Sequence, residues 1–161
     1  MGKGRMPYTR TEYISGAPQV RIGRFKVGSG EYDSGFRLVA REKSGLKQES
    51  LEAARVVINS LLQKKLGENN YVLHVKVYPH IITREHKILG QAGADRISQG
   101  MVRAFGKPTG RMARVSIGQT ILEVYSKRES KAILKEALIA SAHKLPMKCS
   151  VEVIEHERSG Q

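Results

Sequence analysis

The sequence contains no tryptophan and a single cysteine, Cys149, and aromatic residues make up only 6% of its 161 positions. One cysteine cannot form an internal disulfide, and it excludes a zinc site built from several cysteines. No apolar run approaches the roughly 20 residues that a membrane-spanning helix needs. The first ten residues, MGKGRMPYTR, lack the apolar centre of a secretion signal. We therefore expect a cytoplasmic protein with no membrane partner, in which Cys149 is a small apolar residue on a strand.

Acidic residues are also scarce relative to basic ones. There are 15 Asp and Glu residues and 28 Lys and Arg residues, which gives a formal net charge of +13. Because 40% of the residues are hydrophobic, the chain has enough apolar material for one packed core. A folded chain with such an excess of positive charge is typical of proteins that bind a polyanion.

The positive charge is concentrated in two segments. Residues 1–26 contain six basic side chains and one acidic side chain, and residues 84–114 contain seven basic and two acidic side chains. These segments together hold ten of the thirteen net charges. If the chain binds nucleic acid, these segments are the expected contact regions.

Between the two basic segments, apolar residues recur at helical spacing and predict a helix from Lys47 to Leu66, which Gly67 ends. The apolar positions are Leu51, Ala54, Ile58, Leu61, Leu62 and Leu66. The stretch YVLHVKVY, residues 71–78, predicts a strand that Pro79 closes. The glycines at positions 28 and 30 predict a turn.

A second unit follows the second basic segment. The apolar runs at residues 113–117 and 120–125 predict either one bulged strand or a tight hairpin. Ser126 and Glu129 have the spacing of a capping box, so we expect a helix to begin at Ser126 and to end at Pro146. A strand is predicted over residues 147–154. The apolar residues of this second helix are Leu134, Ala137, Leu138, Ala142 and Leu145.

This alternation predicts an α/β (α+β) two-layer sandwich, a mixed sheet with two main helices. We expect one domain over residues 1–161, with a basic N-terminal arm at 1–20, a long Gly/Arg loop at 81–112 and a flexible tail at 156–161. Loops this long inside a compact domain are usually functional or disordered.

The long loop has the composition of a segment that approaches phosphates. Its five glycines permit close approach of the backbone to a partner, and its arginines are dispersed along it. Arg96, Arg103, Arg111 and Arg114 could each hold a phosphate or stack on an unpaired base, and Phe105 offers an aromatic face. Lys107 would act as a point charge. The alternative is a solvated loop whose charge serves only solubility.

The sequence offers no convincing catalytic, cofactor or metal site. The stretch GMVRAFGKPT has one residue too many between its first two glycines for a nucleotide-hydrolase phosphate loop, and Pro108 stands where Ser or Thr should follow the lysine. His74, His80 and His86 are spaced by six, which places no two on one helical face. We expect no enzymatic activity, no cofactor and no metal.

The order of the residues adds a family resemblance. PYTRTEYISGAPQVRI, SLEAARVVINSLL and VYPHIITREHKILGQAGADRISQGMVRAFGKPTGRMARVSIGQTILEV, with GADR, AFGKP, ARV and IGQ at these separations, strongly resemble the archaeal and eukaryotic type of ribosomal protein L ten-e, equivalent to bacterial L sixteen. The similarity covers roughly residues 7–154. It implies a structural constituent of the large ribosomal subunit, which binds ribosomal RNA near the peptidyl transferase centre and helps to position tRNA.

Carried over to matching positions, the resemblance implies two groups of site residues and the partners rRNA, tRNA and neighbouring large-subunit proteins. The residues expected on rRNA are Arg5, Tyr8, Arg10, Arg21, Arg24, Lys26, Arg84, Lys87, Arg111 and Arg114. The residues expected in the loop nearest tRNA are Arg96, Arg103, Phe105 and Lys107. The alternative is an RNA-binding or chaperone-like module that does not reside on the ribosome, and composition alone does not separate the two.

Overall fold

A computed structural model describes residues 14–32, 34–85 and 106–155. In chain order the strands are β1 (Lys26–Val27), β2 (Ser34–Ala40), β3 (Ser44–Lys47), β4 (Tyr71–Val75), β5 (Ile81–Glu85), β6 (Lys107–Val115), β7 (Thr120–Ser126) and β8 (Cys149–Glu155). The helices are α1 (Gln48–Leu66), between β3 and β4, and α2 (Lys131–Ala142), between β7 and β8; a short 3-10 turn at Arg128–Ser130 precedes α2.

The larger of the two sheets has the strand order β1-β4-β7-β2-β8, and each neighbouring pair is antiparallel. One face carries the apolar residues that alternate along these strands, such as Leu38, Leu73 and Leu122. Leu51 of α1 and Leu138 of α2 belong to the same buried cluster. Both helices therefore cover one face of the large sheet and form the second layer.

The smaller sheet has the order β3-β6-β5 and is also antiparallel. Its strand β3 leads into α1 without a connecting loop, because Lys47 ends the strand and Gln48 begins the helix. Leu46 and Val115 are fully buried in the core cluster. The small sheet is thereby joined to the main body through the start of α1 and through the tight turn that connects β6 to β7 of the large sheet.

The predicted α+β class with two main helices is confirmed. The strands form two sheets rather than one, and the pairings within the described residues are antiparallel. The first helix begins one residue later than predicted, at Gln48, and ends as predicted at Leu66, where Gly67 follows with a positive φ of 79°. The two apolar runs around Gly118 form neither one bulged strand nor a hairpin. They belong to β6 and β7, which lie in different sheets and are joined by a tight turn in which the amide of Gln119 donates to the carbonyl of Ser116 at 3.2 Å. None of the described helices is long and apolar enough to cross a membrane.

Three expectations about boundaries need correction. Ser126 does not begin the second helix: it is the last residue of β7, and its hydroxyl donates to the carbonyl of Asn70 at 2.8 Å. That helix begins at Lys131 and ends at Ala142, before the predicted stop at Pro146. The predicted strand at residues 71–78 ends at Val75.

The predicted loop over residues 81–112 is structured at both ends. Residues 81–85 form β5, and residues 107–112 belong to β6, which pairs with it. The sequence analysis missed these strands because the glycines, Pro108 and charged residues of this region obscure the alternation of apolar side chains. The central part of the predicted loop, residues 86–105, lies outside the described residues.

Candidate nucleic-acid interface

The last residues of the predicted N-terminal arm are attached to the body of the protein. The amide of Arg21 donates to Gln48 Oε1 at 3.1 Å, and the amide of Gly23 donates to Glu52 Oε2 at 3.2 Å. Arg111 Nε donates to the carbonyl of Pro18 at 2.6 Å. Because Ile22 is also buried in the core, residues 18–23 lie along the start of α1 and beside β6.

This attachment leaves the basic side chains next to it exposed. Arg21, Arg24 and Lys26 all lie at the surface, while the backbone between them is bonded to α1 or buried. The amide contacts hold the backbone at Arg21 and Gly23, and the pairing of β1 with β4 holds it at Lys26, so the backbone from which these side chains project is held by the body of the protein. We refer to these three residues as the N-terminal basic group.

The carboxylate that binds the amide of Gly23, Glu52, is neutralised by an arginine of the same helix. Arg55 donates to Glu52 through Nε at 2.9 Å and through Nη2 at 2.6 Å. The hydrogen bond from Arg55 holds the pKa of Glu52 below its ordinary value, although partial burial acts in the opposite direction. Glu52 therefore stays ionised and accepts the hydrogen bond from the amide of Gly23. Because Arg55 compensates its negative charge, Glu52 contributes little negative potential to the N-terminal basic group.

The small sheet presents further basic residues. Lys47 pairs with Met112 and Gly45 pairs with Arg114, so Lys47 and Arg114 are diagonal neighbours on one face of the sheet. Both side chains are exposed. At the other end of β6, Lys107 lies opposite Glu85, where β5 and β6 lead into the segment that connects them. Gln48, which bonds Arg21, is the next residue after Lys47, so the two basic groups meet at the start of α1.

The outer face of the large sheet carries acidic as well as basic side chains. Its central row crosses all five strands with Lys26, His74, Glu123, Arg37 and Glu152. Arg37 Nη2 lies 2.9 Å from Glu152 Oε2, and Lys76 Nζ lies 3.0 Å from Glu123 Oε2. Most of the charge on this face is therefore compensated by neighbouring strands.

Tyr125 lies on the same outer face as Glu123, where opposite charges compensate one another. Its hydroxyl donates to Glu123 at 3.1 Å, and its ring covers Gly35. Burial raises the pKa of Tyr125 to about 12, with a further contribution from the charge of Glu123. The hydroxyl is thus a neutral donor at physiological pH.

The N-terminal basic group and Arg114 lack such compensation. Within residues 14–32, 34–85 and 106–155, no carboxylate forms an ion pair with Arg21, Arg24 or Arg114. The same part of the chain contains no group of three or more His, Cys, Asp or Glu residues that could hold a metal ion. Exposed, uncompensated guanidinium groups are suited to bind phosphate oxygens, which accept two parallel hydrogen bonds from one arginine.

The sequence matches the family model of ribosomal protein L16p/L10e over residues 3–152. The chain belongs to this family. The large ribosomal subunit protein uL16 of Archaeoglobus fulgidus is 48% identical over 149 residues, which cover 91% of this chain and 86% of the relative. The protein of the same name from Hyperthermus butylicus is 45% identical over 150 residues, covering 92% and 83%. The resemblance found in the sequence is confirmed, and the absence of enzymatic activity agrees with membership in the L16p/L10e family.

The structure describes half of the residues predicted to contact RNA. Those described are Arg21, Arg24, Lys26, Arg84, Lys107, Arg111 and Arg114; those outside the described residues are Arg5, Tyr8, Arg10, Lys87, Arg96, Arg103 and Phe105. Arg84 and Arg111 are half-buried, whereas the other described members are exposed, and Arg111 uses Nε to donate to the carbonyl of Pro18.

Lys47 is a basic surface residue that the sequence analysis did not select. The apolar spacing predicted that Lys47 begins the first helix. In the structure Lys47 is the last residue of β3 and pairs with β6. Only the pairing of β3 with β6 places it next to Arg114, and no local pattern in the sequence indicates that pairing.

Cys149 lies on a strand, β8, as predicted, and it is half-buried. Burial raises the pKa of its thiol, so little thiolate is present near neutral pH.

We expect His74 to make folding stability depend on pH. Burial lowers the pKa of His74, Lys76 and Lys26 lower it further, and Glu123 partly opposes them. Since the unfolded chain has the ordinary pKa near 6.5, it binds more protons than the folded chain in the window below that value. The free energy of unfolding should therefore fall as the pH drops from about 7 to 5.

Chemical denaturation at several pH values, in wild type and in His74→Gln, measures this contribution. The variant should lose part of the pH dependence between about pH 7 and 5. Identical pH profiles for the two proteins would contradict the assignment to His74.

Proposed function

We propose that the chain is a structural constituent of the large ribosomal subunit in the cytoplasm. In this proposal it binds large-subunit ribosomal RNA near the peptidyl transferase centre, contacts neighbouring large-subunit proteins and helps to position tRNA. The observation that carries the proposal is the set of exposed, uncompensated arginines on a well-packed scaffold, in a chain of the L16p/L10e family.

The binding would be driven by neutralisation of phosphates. Each Lys or Arg that meets a phosphate releases condensed counterions, so affinity falls steeply as the salt concentration rises. Arg21, Arg24, Lys26 and Arg114 would supply contacts from the described surface, and Arg84 and the remaining guanidinium nitrogens of Arg111 would extend it. Arg5, Tyr8, Arg10 and Lys87 are proposed as further rRNA contacts.

The segment between β5 and β6 is proposed to approach tRNA. Its described end carries Lys107, which is exposed at the start of β6. Arg96, Arg103 and Phe105 would complete this contact. The sheet pair β5–β6 supplies a rigid base for the segment, because β6 pairs with β5 and β3 and a tight turn connects it to β7 of the large sheet.

Sedimentation of a lysate tests residence on the ribosome. The protein should cofractionate with large subunits at moderate salt and leave them only when the salt is raised strongly. A predominantly free pool at moderate salt would support the alternative of an RNA-binding module that acts away from the ribosome.

Charge removal tests whether the proposed surface makes the contacts. The triple variant Arg21→Gln, Arg24→Gln, Arg114→Gln should bind deproteinised large-subunit RNA more weakly. The slope of log affinity against log salt should become shallower by about 2 to 3, since each phosphate contact contributes roughly 0.7 to 0.9. Filter binding or fluorescence anisotropy at four or more salt concentrations measures the slope.

A matched variant controls for net charge. Replacing Lys64, Lys135 and Lys144 with Gln also removes three positive charges, but from exposed positions on or just after the two helices. We expect a smaller change in slope. Equal losses in the two triple variants would mean that net charge, rather than the surface described above, controls the binding.

A further inference from the structure

An aromatic pair lies at the β1 edge of the large sheet. The rings of Phe25 and Tyr78 are stacked, with centroids 5.6 Å apart and an angle of 27° between the planes. The amide of Val75 donates to the carbonyl of Phe25 at 2.7 Å, which ties the segment before β1 to the end of β4. The two rings are therefore held together by the backbone as well as by their own contact.

The two rings differ in exposure. Phe25 is partly buried and packs against the core, whereas Tyr78 is 53% exposed. Burial alternates along the extended residues after β4: Val77 and Pro79 are buried, and Tyr78 and His80 are exposed. The buried neighbours anchor the segment, so the exposed tyrosine has a fixed backbone and a ring already supported on one side.

The exposed residues that flank the two rings in sequence are basic. Arg24 and Lys26, which flank Phe25 in sequence, are exposed, and so are Lys76 and His80 on either side of Tyr78. The only described carboxylate that pairs with this set is Glu123, which compensates Lys76. An exposed aromatic ring among cationic side chains matches the chemistry of a single-stranded nucleic acid, in which a flat base alternates with a phosphate. A protein partner for this ring would have to be acidic as well as apolar.

We propose that the pair formed by Phe25 and Tyr78 is a stacking platform for one unpaired RNA base, with the adjacent phosphates held by Arg24 and Lys26. This inference rests on the proposed function, because it takes the partner to be ribosomal RNA. The inference adds a specific chemical role to that function. The N-terminal basic group recognises RNA that is locally single-stranded, and the ring of Tyr78 distinguishes such RNA from a continuous duplex. A base within a duplex has both faces covered and cannot stack on Tyr78.

Substitution of Tyr78 tests the platform directly. Tyr78→Ala should weaken binding to a single-stranded 12-nucleotide oligoadenylate by about 5- to 150-fold, the range typical of one lost base–aromatic stack. Tyr78→Phe keeps the ring and should bind within about twofold of wild type. Binding of a fully paired RNA duplex of the same length should be unchanged in both variants.

The absence of tryptophan allows a second, site-specific measurement. Tyr78→Trp introduces a sole tryptophan at the platform, and base stacking should quench its fluorescence when the oligoadenylate is added. Duplex RNA should leave the fluorescence nearly unchanged. Equal quenching by both RNAs, or none by either, would overturn the proposal.

The outcomes separate this inference from the proposed function. If Tyr78→Ala binds every RNA as wild type does, while the arginine triple variant binds large-subunit RNA weakly, the platform is wrong and the proposed function stands. If wild type itself does not bind large-subunit RNA at low salt, the proposed function fails first. Thermal melting of Tyr78→Ala and Tyr78→Phe shows whether a loss of binding reflects unfolding.

Discussion

Replacing Leu138 with alanine is expected to lower the free energy of unfolding by about 2 to 5 kcal/mol. Leu138 is fully buried on α2, in the cluster that joins both helices to the large sheet. Truncation removes apolar contacts and leaves a cavity that the surrounding helices and strands cannot fully close. Urea or thermal unfolding of the purified protein measures the change.

The next residue along the same helix provides the control. Ile139 is 45% exposed, so Ile139→Ala should change the stability by only about 0.5 kcal/mol. The two substitutions remove isomeric side chains from one helix, and burial is the main difference between them, since the helix propensities of Leu and Ile differ by only about a few tenths of a kcal/mol. Similar losses of stability for both variants would show that α2 does not pack on the sheet as described.

Gly28→Ala is expected to cost about 1 to 2 kcal/mol in backbone strain and about 1 to 3 kcal/mol more in steric overlap. Gly28 follows β1 with a φ of 83°, a conformation that residues with a Cβ adopt at a cost. A Cβ at this position would lie 2.1 Å from the carbonyl oxygen of Tyr71. Because that atom belongs to the backbone of β4, no change of side-chain rotamer relieves the overlap.

Gly118→Ala separates the two contributions. Gly118 has nearly the same φ, 80°, in the turn between β6 and β7, but a Cβ there would meet no atom within 4 Å. Its substitution should show the strain alone, and the difference between the two variants should equal the overlap at Gly28. If the two alanine variants unfold at the same denaturant concentration, β1 is not packed against Tyr71 as described.

The same structural features bear on the proposed RNA surface. Gly28 lies two residues after Lys26, and its close approach to Tyr71 holds β1 on the edge of the large sheet. A Gly28→Ala variant that still folds should therefore place the N-terminal basic group less accurately. Stability and RNA affinity should decline together in this variant, whereas the arginine triple variant should lose affinity with little loss of stability.

The helices were the part of the fold most accessible to prediction. The spacing of Leu51, Ile58 and Leu62 predicted the buried face of α1, and all three residues are fully buried. Leu61 was placed with them but is only partly buried, because the predicted apolar stripe is wider than the face that meets the sheet. Helical periodicity depends on residues three and four apart, so it can be recognised in a single stretch of sequence.

The start of α2 shows where local patterns mislead. Ser126 and Glu129 have the spacing of a capping box. Ser126 is nevertheless the last residue of β7, and its hydroxyl donates to the carbonyl of Asn70. A side chain that satisfies a distant carbonyl is no longer available to cap a helix. Competition between local and distant partners of this kind cannot be resolved from the spacing alone.

The amino-acid sequence by itself determined the class of partner, since an excess of positive charge and a family pattern are properties of residue identity and order. It also determined the two helices, because their apolar periodicity is local. Tertiary structure decided which charges remain uncompensated among the described residues: Arg37 meets Glu152, which is 115 positions away, while in the same part of the chain Arg21 is bonded through its amide, to Gln48, and has no carboxylate partner. The electrostatic potential at a side chain depends on the distance to every neighbouring charge, and only folding sets those distances.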